Sequence, residues 1–219
     1  MNEMQKSQID QTRVLVESMF SGEGTGHDWW HIVRVRNMAI TIAEEEKADM
    51  FVTEMGAYLH DIADHKFHNG DDTAGPKKAR EWLDSIHLPQ EQLEAIVSIV
   101  DQVTFKGAGV ETKAMSIEAQ CVQDADRLDA LGAVGIARTF AYGGSKNREI
   151  YNPAIPPVMH DSFEAYKSSI APTINHFYEK LLLLKDLMNT ATGRRLGEAR
   201  HQFMVQYLEQ FYSEWAGKS

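Results

Sequence analysis

The stretch HDIADHKFH, from His60 to His68, gathers three histidines and two aspartates, His60, Asp61, Asp64, His65 and His68. Such residues bind divalent cations: neutral imidazole and ionised carboxylate are complementary ligands, and the ion relieves repulsion between the acids. On a helix advancing about 100° per residue, His60, Asp61 and Asp64 share one face with only the tiny Gly56 and Ala57. Val52, Met55, Leu59, Ile62 and Ala63 form a separate core-facing stripe. The polar face reads as the wall of a pocket, although a solvated helix face would carry the same residues. A further histidine, His31, falls in an apolar stripe with Val35, Met38, Ala39 and Ile42, so it points inward. A lone inward histidine is commonly a hydrogen-bonded core residue; opposite a His-Asp-Asp wall, ligation is favoured.

Two histidines and one aspartate still want an oxygen ligand. The stretch VQDADRLDALG offers Asp124, Asp126 and Asp129. Asp124 lies in a stripe with Ile117, Cys121, Leu128 and Leu131, and Asp126 lies nearly opposite. Val122, Ala130, Ala133 and Val134 make the segment apolar almost all round, so periodicity does not choose among the three. Two more His-Asp dipeptides have other uses. Asp161 of His160-Asp161 suits a helix cap answered by Glu164. Asp28 of His27-Asp28 suits the first turn of the helix carrying His31, with His27 at the pocket mouth.

The elements that must position these residues read as helices. Apolar residues recur at steps of three and four over 28–46, 50–66, 74–86, 89–103 and 116–140, and again near 172–190 and 194–215. The breaks are SGEGTG (21–26), FKGAG (105–109) and a Gly/Pro-rich segment, 142–157, with no strand alternation. That last segment exceeds a usual helix connection and reads as a functional loop or an internal flap. There is no fixed-period repeat. The expectation is an all-α single domain over 1–219.

Composition narrows the function. A chain of 219 residues, 43% hydrophobic and 25% charged, suffices for one large core. Its single cysteine, Cys121, excludes an internal disulfide, fits a reducing compartment and reads as core packing rather than a nucleophile. The N-terminal stretch has no apolar signal region, and no window approaches a membrane span, so a soluble cytoplasmic protein without a membrane partner is expected. A net charge of −10 disfavours nucleic acid. Small anions remain suitable if a metal and a few placed cations compensate.

The order His31, then His60-Asp61, then an aspartate in ADRL, within HDWWHIVRV, LHDIAD and QDADRLDALG, resembles the H…HD…D pattern of the HD-domain metal-dependent phosphohydrolase superfamily. The likeness covers roughly residues 25–140. Through INHFYEKLLLLKDLMNT (174–190) it is also similar to a subgroup of small bacterial HD proteins, some of them nucleotide pyrophosphohydrolases. The resemblance implies a helical HD bundle around one divalent ion held by His31, His60, Asp61 and Asp126, the last selected by its Asp-basic-Leu context. Manganese is favoured, with Mg²⁺, Co²⁺, Ni²⁺, Fe²⁺ or Zn²⁺ as alternatives. The additional downstream histidines of multi-metal families, and the Gly-Lys sequence of the HD-GYP subgroup, are not recognised here, which favours a single ion. Asp64, one turn beyond the dyad, is similar to the family's general base; capping the next segment is its other use.

The implied reaction is hydrolysis of nucleoside or deoxynucleoside triphosphates to monophosphate and pyrophosphate. Other phosphomonoester or phosphodiester hydrolysis, or a non-catalytic nucleotide- or metal-binding regulator, are the alternatives. Phosphate charge must be met locally, and Lys66, Arg127, Lys146 and Arg148 are candidates. His176 and Lys180 share a helix face with Leu183, Leu184 and Leu187 and look inward, so they join the list, as does His27. Trp29 and Trp30 suit core packing or base stacking, and Gly143 with Gly144 suits a helix-ending turn or a phosphate cradle. A homodimer is compatible with the sequence.

Overall fold

A computed structural model describes residues 1–21, 28–62, 73–103, 113–159 and 171–218. Among these residues all regular structure is helical, as expected, and no helix is long and apolar enough to cross a membrane. The chain divides into two compact units, Met1–Asp126 and Arg127–Ser219.

The first unit opens with a helix absent from the periodicity reading, α1 (Glu3–Phe20). Its apolar stripe is thin because polar groups do part of the packing. Gln8 donates to the Ile86 carbonyl at 3.1 Å, and Thr12 accepts from the Trp82 indole at 2.9 Å. The usable signal was a capping box: the Asn2 side chain accepts from Gln5 N–H at 2.9 Å, and the Gln5 side chain accepts from Asn2 N–H at 3.0 Å. Then follow α2 (Trp29–Glu46), α3 (Met50–Leu59), α4 (Ala74–Ser85), α5 (Gln90–Val103) and α6 (Ile117–Asp129), whose last residues, from Arg127 on, belong to the second unit.

Helix α3 is central, packed against α1, α2 and α5. Every residue from Phe51 to Leu59 is buried, so a one-sided apolar stripe does not describe it. The tiny residues expected to line a pocket serve packing: a Cβ on Gly56 would lie 2.8 Å from Ile99 Cδ1, so only glycine admits α5 this close. Glu54, 3% exposed, is neutralised by Arg36 of α2, whose Nε donates at 2.8 Å and whose Nη2 also contacts it. The helix stops at Leu59, short of the expected 66, with His60 as its C-cap.

The second unit holds α7 (Gly132–Ser145), α8 (Asn175–Glu179), a 3₁₀ segment (Leu181–Leu187) and α9 (Ala191–Trp215). The run 116–140 is therefore two helices, broken where Gly132 takes the left-handed φ of 70°. The run 172–190 is likewise broken at Lys180, with φ −145° and ψ −57°. Helix α7 ends at Ser145, with the Gly143 and Gly144 carbonyls accepting from the N–H groups of its closing turn, and Gly143 is required because a Cβ would fall 2.2 Å from Thr173 Oγ1. Beyond it, Glu149 and Ile150 carbonyls accept from Thr173 and Ile174 N–H at 2.8 and 3.0 Å. Phe177 anchors this unit's core, 6.0 Å from the rings of Phe140 and Tyr207.

Candidate metal centre

The first turn of α2 delivers His31. Asp28 is the N-cap of that helix, one position earlier than expected, and its carboxylate accepts from His31 N–H at 2.9 Å. The cap therefore locks the backbone of a residue whose side chain is fully buried. His60 arrives from the other end of its element, at the C-cap of α3, and is 3% exposed. Its Nδ1 lies 2.8 Å from the Ala57 carbonyl. A carbonyl can only accept, so Nδ1 carries the proton, and the neutral imidazole has its lone pair on Nε2.

That lone pair faces the other donors. The two Nε2 atoms are 3.4 Å apart. Asp61 Oδ2 lies 3.5 Å from His31 Nε2 and 3.6 Å from His60 Nε2. Asp126 Oδ1 lies 3.6 Å from His31 Nε2, and ligand atoms of His31, His60 and Asp126 all fall within 4.8 Å of one another. The imidazoles form a floor and the carboxylates a rim, with Asp61 17% and Asp126 34% exposed at the side chain.

Donors about 2.1 Å from a common ion, at right or tetrahedral angles, stand roughly 3.0–3.4 Å apart. The His31–His60, His31–Asp61, His60–Asp61 and His31–Asp126 donor separations need change only by tenths of an ångström to reach that spacing. Two carboxylates match the charge of one divalent ion, and two imidazoles add neutral ligands, so the donor set fits such an ion. Without positive charge the cluster would set lone pairs against one another. A proton on one imidazole would relieve part of that repulsion, whereas a divalent ion serves all four donors at once.

The three candidate aspartates of α6 separate cleanly. Asp124 is fully buried, as its place in the stripe predicts. Asp129, 4% exposed, is ion-paired with Arg138 at 2.6 Å. Only Asp126 joins the histidines. The stripe reports burial, and a ligand with open coordination positions belongs at the border of core and solvent.

Other expected site residues are placed differently. His27, Asp64, Lys66, His65, His68 and the His160-Asp161 pair lie outside the described residues. The Arg127 guanidinium donates to the Leu187 carbonyl. Lys146 and Arg148 flank the Tyr142 ring, at 5.7 and 5.8 Å from its centroid. Burial, aided by Lys180 and Arg148, pushes the His176 imidazole down to about 3, so it stays neutral. Trp29 stacks on Tyr58 with centroids 6.2 Å apart, and Trp30 is 63% exposed. Burial, reinforced by Asp124, pushes the Cys121 thiol up to about 12, which leaves it unreactive.

Two contributors escaped the sequence reading. The Arg36–Glu54 pair ties α2 to α3; an acid inside the apolar run FVTEMGAYL was the available signal, since a buried carboxylate requires a partner. The Ala57 carbonyl, which sets the His60 tautomer, had no signal, because any residue there supplies a carbonyl.

Known proteins share this arrangement of chain. The HD domain family matches residues 29–131, a span containing all four converging side chains. YpgQ of Bacillus subtilis is 39% identical over 213 residues, 96% of this chain and 95% of YpgQ. A crystal structure of YpgQ in complex with ADP aligns with TM-score 0.75 at 36% identity, covering 96% of this chain and 100% of that one. An HD-superfamily hydrolase from Bacillus thuringiensis aligns with TM-score 0.77 at 44% identity, covering 97% and 98%. A Lactobacillus plantarum protein aligns with TM-score 0.82 at 33% identity, covering 99% of each chain. With the likeness running nearly end to end, and His31, His60-Asp61 and Asp126 gathered at one point, the chain belongs to the HD-domain phosphohydrolase superfamily.

Proposed function

We propose that this protein hydrolyses nucleoside or deoxynucleoside triphosphates to the monophosphate and pyrophosphate at the centre made by His31, His60, Asp61 and Asp126. The observation that carries a metal-dependent reaction is the convergence of these donors, with the His60 proton committed to Ala57 and its Nε2 turned toward the others. A nucleotide as substrate is supported by YpgQ, similar over nearly its whole length and crystallised with ADP. A cytoplasmic setting is inferred from the lone buried cysteine.

His31 and His60 act as neutral ligands and Asp61 and Asp126 as ionised ones, a mixed set that suits Mn²⁺ and other first-row divalent ions. When bound, the ion polarises the phosphoryl group and lowers the pKa of the attacking water. Asp64, assigned by family resemblance, takes the proton from that water as it adds to the α-phosphorus. The bond to the α–β bridging oxygen breaks, and pyrophosphate leaves with the electron pair. In a protein of net charge −10, Lys66, Lys146, Arg148 and Lys180 are assigned to meet phosphate charge, with His27 and the neutral His176 as further substrate-binding groups. Arg127, whose guanidinium donates to the Leu187 carbonyl, is assigned with them.

Metal-loaded protein incubated with a panel of nucleotides in ¹⁸O-labelled water tests the reading. Equimolar monophosphate and pyrophosphate, with the label in the monophosphate, is the expected result. Turnover of monophosphates or cyclic nucleotides alone would redirect it within the superfamily. Tight nucleotide binding in calorimetry, without consumption under any divalent ion, would identify a regulator instead.

A further inference from the structure

Helix α6 carries Asp126 one turn before its end, and that end is built unusually. The last carbonyls of a helix have no partners within it, and here guanidinium groups serve them. Arg200 of α9 donates to the Leu128 carbonyl. Arg138 of α7 donates to the Asp129 carbonyl at 3.2 Å and to the Asp129 carboxylate at 2.6 Å. Positive charge is favoured at a helix C-terminus and a carboxylate there is not. Asp129 is nonetheless 4% exposed at that position, which Arg138 makes tenable by holding both its charge and its backbone.

The turn between α6 and α7 is shaped to admit this clamp. Gly132 has a φ of 70°, and a Cβ there would meet Arg200 Cγ at 3.1 Å and Cβ at 3.3 Å. The absent side chain leaves the path along which the Arg200 stem reaches Leu128. A Cβ on Gly135 would lie 2.2 Å from the Ala130 carbonyl, so α7 starts hard against the same turn. Leu128 also accepts from Leu131 N–H at 3.0 Å, and Arg127 from Ala130 N–H at 3.1 Å, which closes the turn from within.

We propose that Arg138 and Arg200 are positioning residues for Asp126: by clamping the terminal carbonyls of α6 they hold its last turns against fraying and set the carboxylate for the divalent ion, an inference resting on the metal centre proposed above. Groups that orient a ligand without touching the metal commonly govern affinity by about 10- to 100-fold. The three donors His31, His60 and Asp61 come from α2 and the end of α3, whereas Asp126 comes from the last turns of α6.

The experiment is Mn²⁺ titration of the full chain, read by electron paramagnetic resonance of the free ion, so that no nucleotide or turnover is involved. Arg200→Met keeps the stem beside Gly132 and removes the donors; it is expected to weaken Mn²⁺ binding about tenfold or more. Arg200→Lys, which keeps one donor, recovers part of that loss, and Arg138→Met weakens binding similarly. Arg194→Met removes a guanidinium bond of 3.0 Å to the Met188 carbonyl in the first turn of α9 and leaves affinity within about twofold. Circular dichroism verifies folding, and should Arg138→Met not fold, the two Arg200 variants carry the comparison. Unchanged Mn²⁺ affinity in Arg200→Met, even with a lowered thermal midpoint, overturns the positioning role and leaves a scaffold contact. Wild-type protein that binds no Mn²⁺ overturns the metal centre itself and this inference with it.

Discussion

In the first unit, His31 and His60 are buried, and the His31–His60, His31–Asp61, His60–Asp61 and His31–Asp126 donor separations run from 3.4 to 3.6 Å. In the second unit, His176 stands beside Lys180 and Arg148, and its imidazole is pushed down to about 3. The same side chain is placed in two opposite fields. Among carboxylates it becomes part of a donor set that gains from a cation; His176 is kept neutral by burial, aided by Lys180 and Arg148, whose charges would repel a metal cation. Inward-pointing histidine in a sequence is therefore only half of a signal, and the charges brought around it by folding supply the other half.

The contrast breaks most sharply by substitution at the first cluster. His60→Ala or Asp61→Asn is expected to abolish stoichiometric metal in elemental analysis and to lower kcat/KM on the order of a thousandfold or more, whereas His176→Asn leaves metal content intact. Asp126→Asn should likewise lose metal, while Asp124→Asn retains it. The reverse result would transfer the fourth ligand to Asp124.

Next in size is the frame beneath the cluster. Arg36→Met strands the buried Glu54 carboxylate between α2 and α3 and is expected to cost about 3–5 kcal/mol in urea unfolding. Combining it with Glu54→Met should recover most of that loss, because both desolvated charges are then gone. Recovery of metal binding in the double variant would separate helix placement from the charge pair itself.

Metal removal probes the first cluster without mutation. At free ion near 100 times Kd, binding stabilises by about 2.7 kcal/mol, so a chelator should lower the thermal midpoint of the wild type. It should leave Asp61→Asn unmoved. An equal shift in both proteins would show that the chelator acts elsewhere.

The smallest effect sharpens the second region. Unfolded His176 takes up a proton near 6.5, while the folded residue resists until about 3. Between those values the unfolded chain binds more protons, so stability falls as pH drops below about 6.5, with a slope approaching 1.4 kcal/mol per pH unit. Above that range the residue contributes no slope. Urea midpoints at pH 7, 6 and 5 should fall more steeply for the wild type than for His176→Asn, and parallel curves would refute the lowered basicity of buried His176.

Much of the helical plan was legible because amphipathic spacing survives wherever one face meets water. Helices α2, α4 and α5 end within a residue of the runs read from the sequence. Periodicity failed where burial is not one-sided or where backbone overrides pattern. Helix α3 is buried all round, α1 packs with Gln8 and Thr12, and Gly132 and Lys180 break runs whose apolar spacing continues across them. At the candidate site the ligand types were readable, since few other residues explain a His-Asp pair followed by a distant aspartate. The choice between Asp124 and Asp126 was not readable from spacing, because a stripe identifies the buried face and Asp126 lies at its edge.

By itself, the sequence determined an all-helical chain, a cluster of imidazoles and carboxylates suited to a divalent ion, and membership in a superfamily with a matching motif. Local spacing carries such information, because helix faces and short motifs are set within a few turns. Only the tertiary structure decided that His31, His60, Asp61 and Asp126 meet, that Ala57 fixes the His60 proton, and that arginines from α7 and α9 close the end of α6. Those outcomes join residues tens of positions apart. They are settled by which helices pack, a competition of burial and charge pairing that no local pattern encodes.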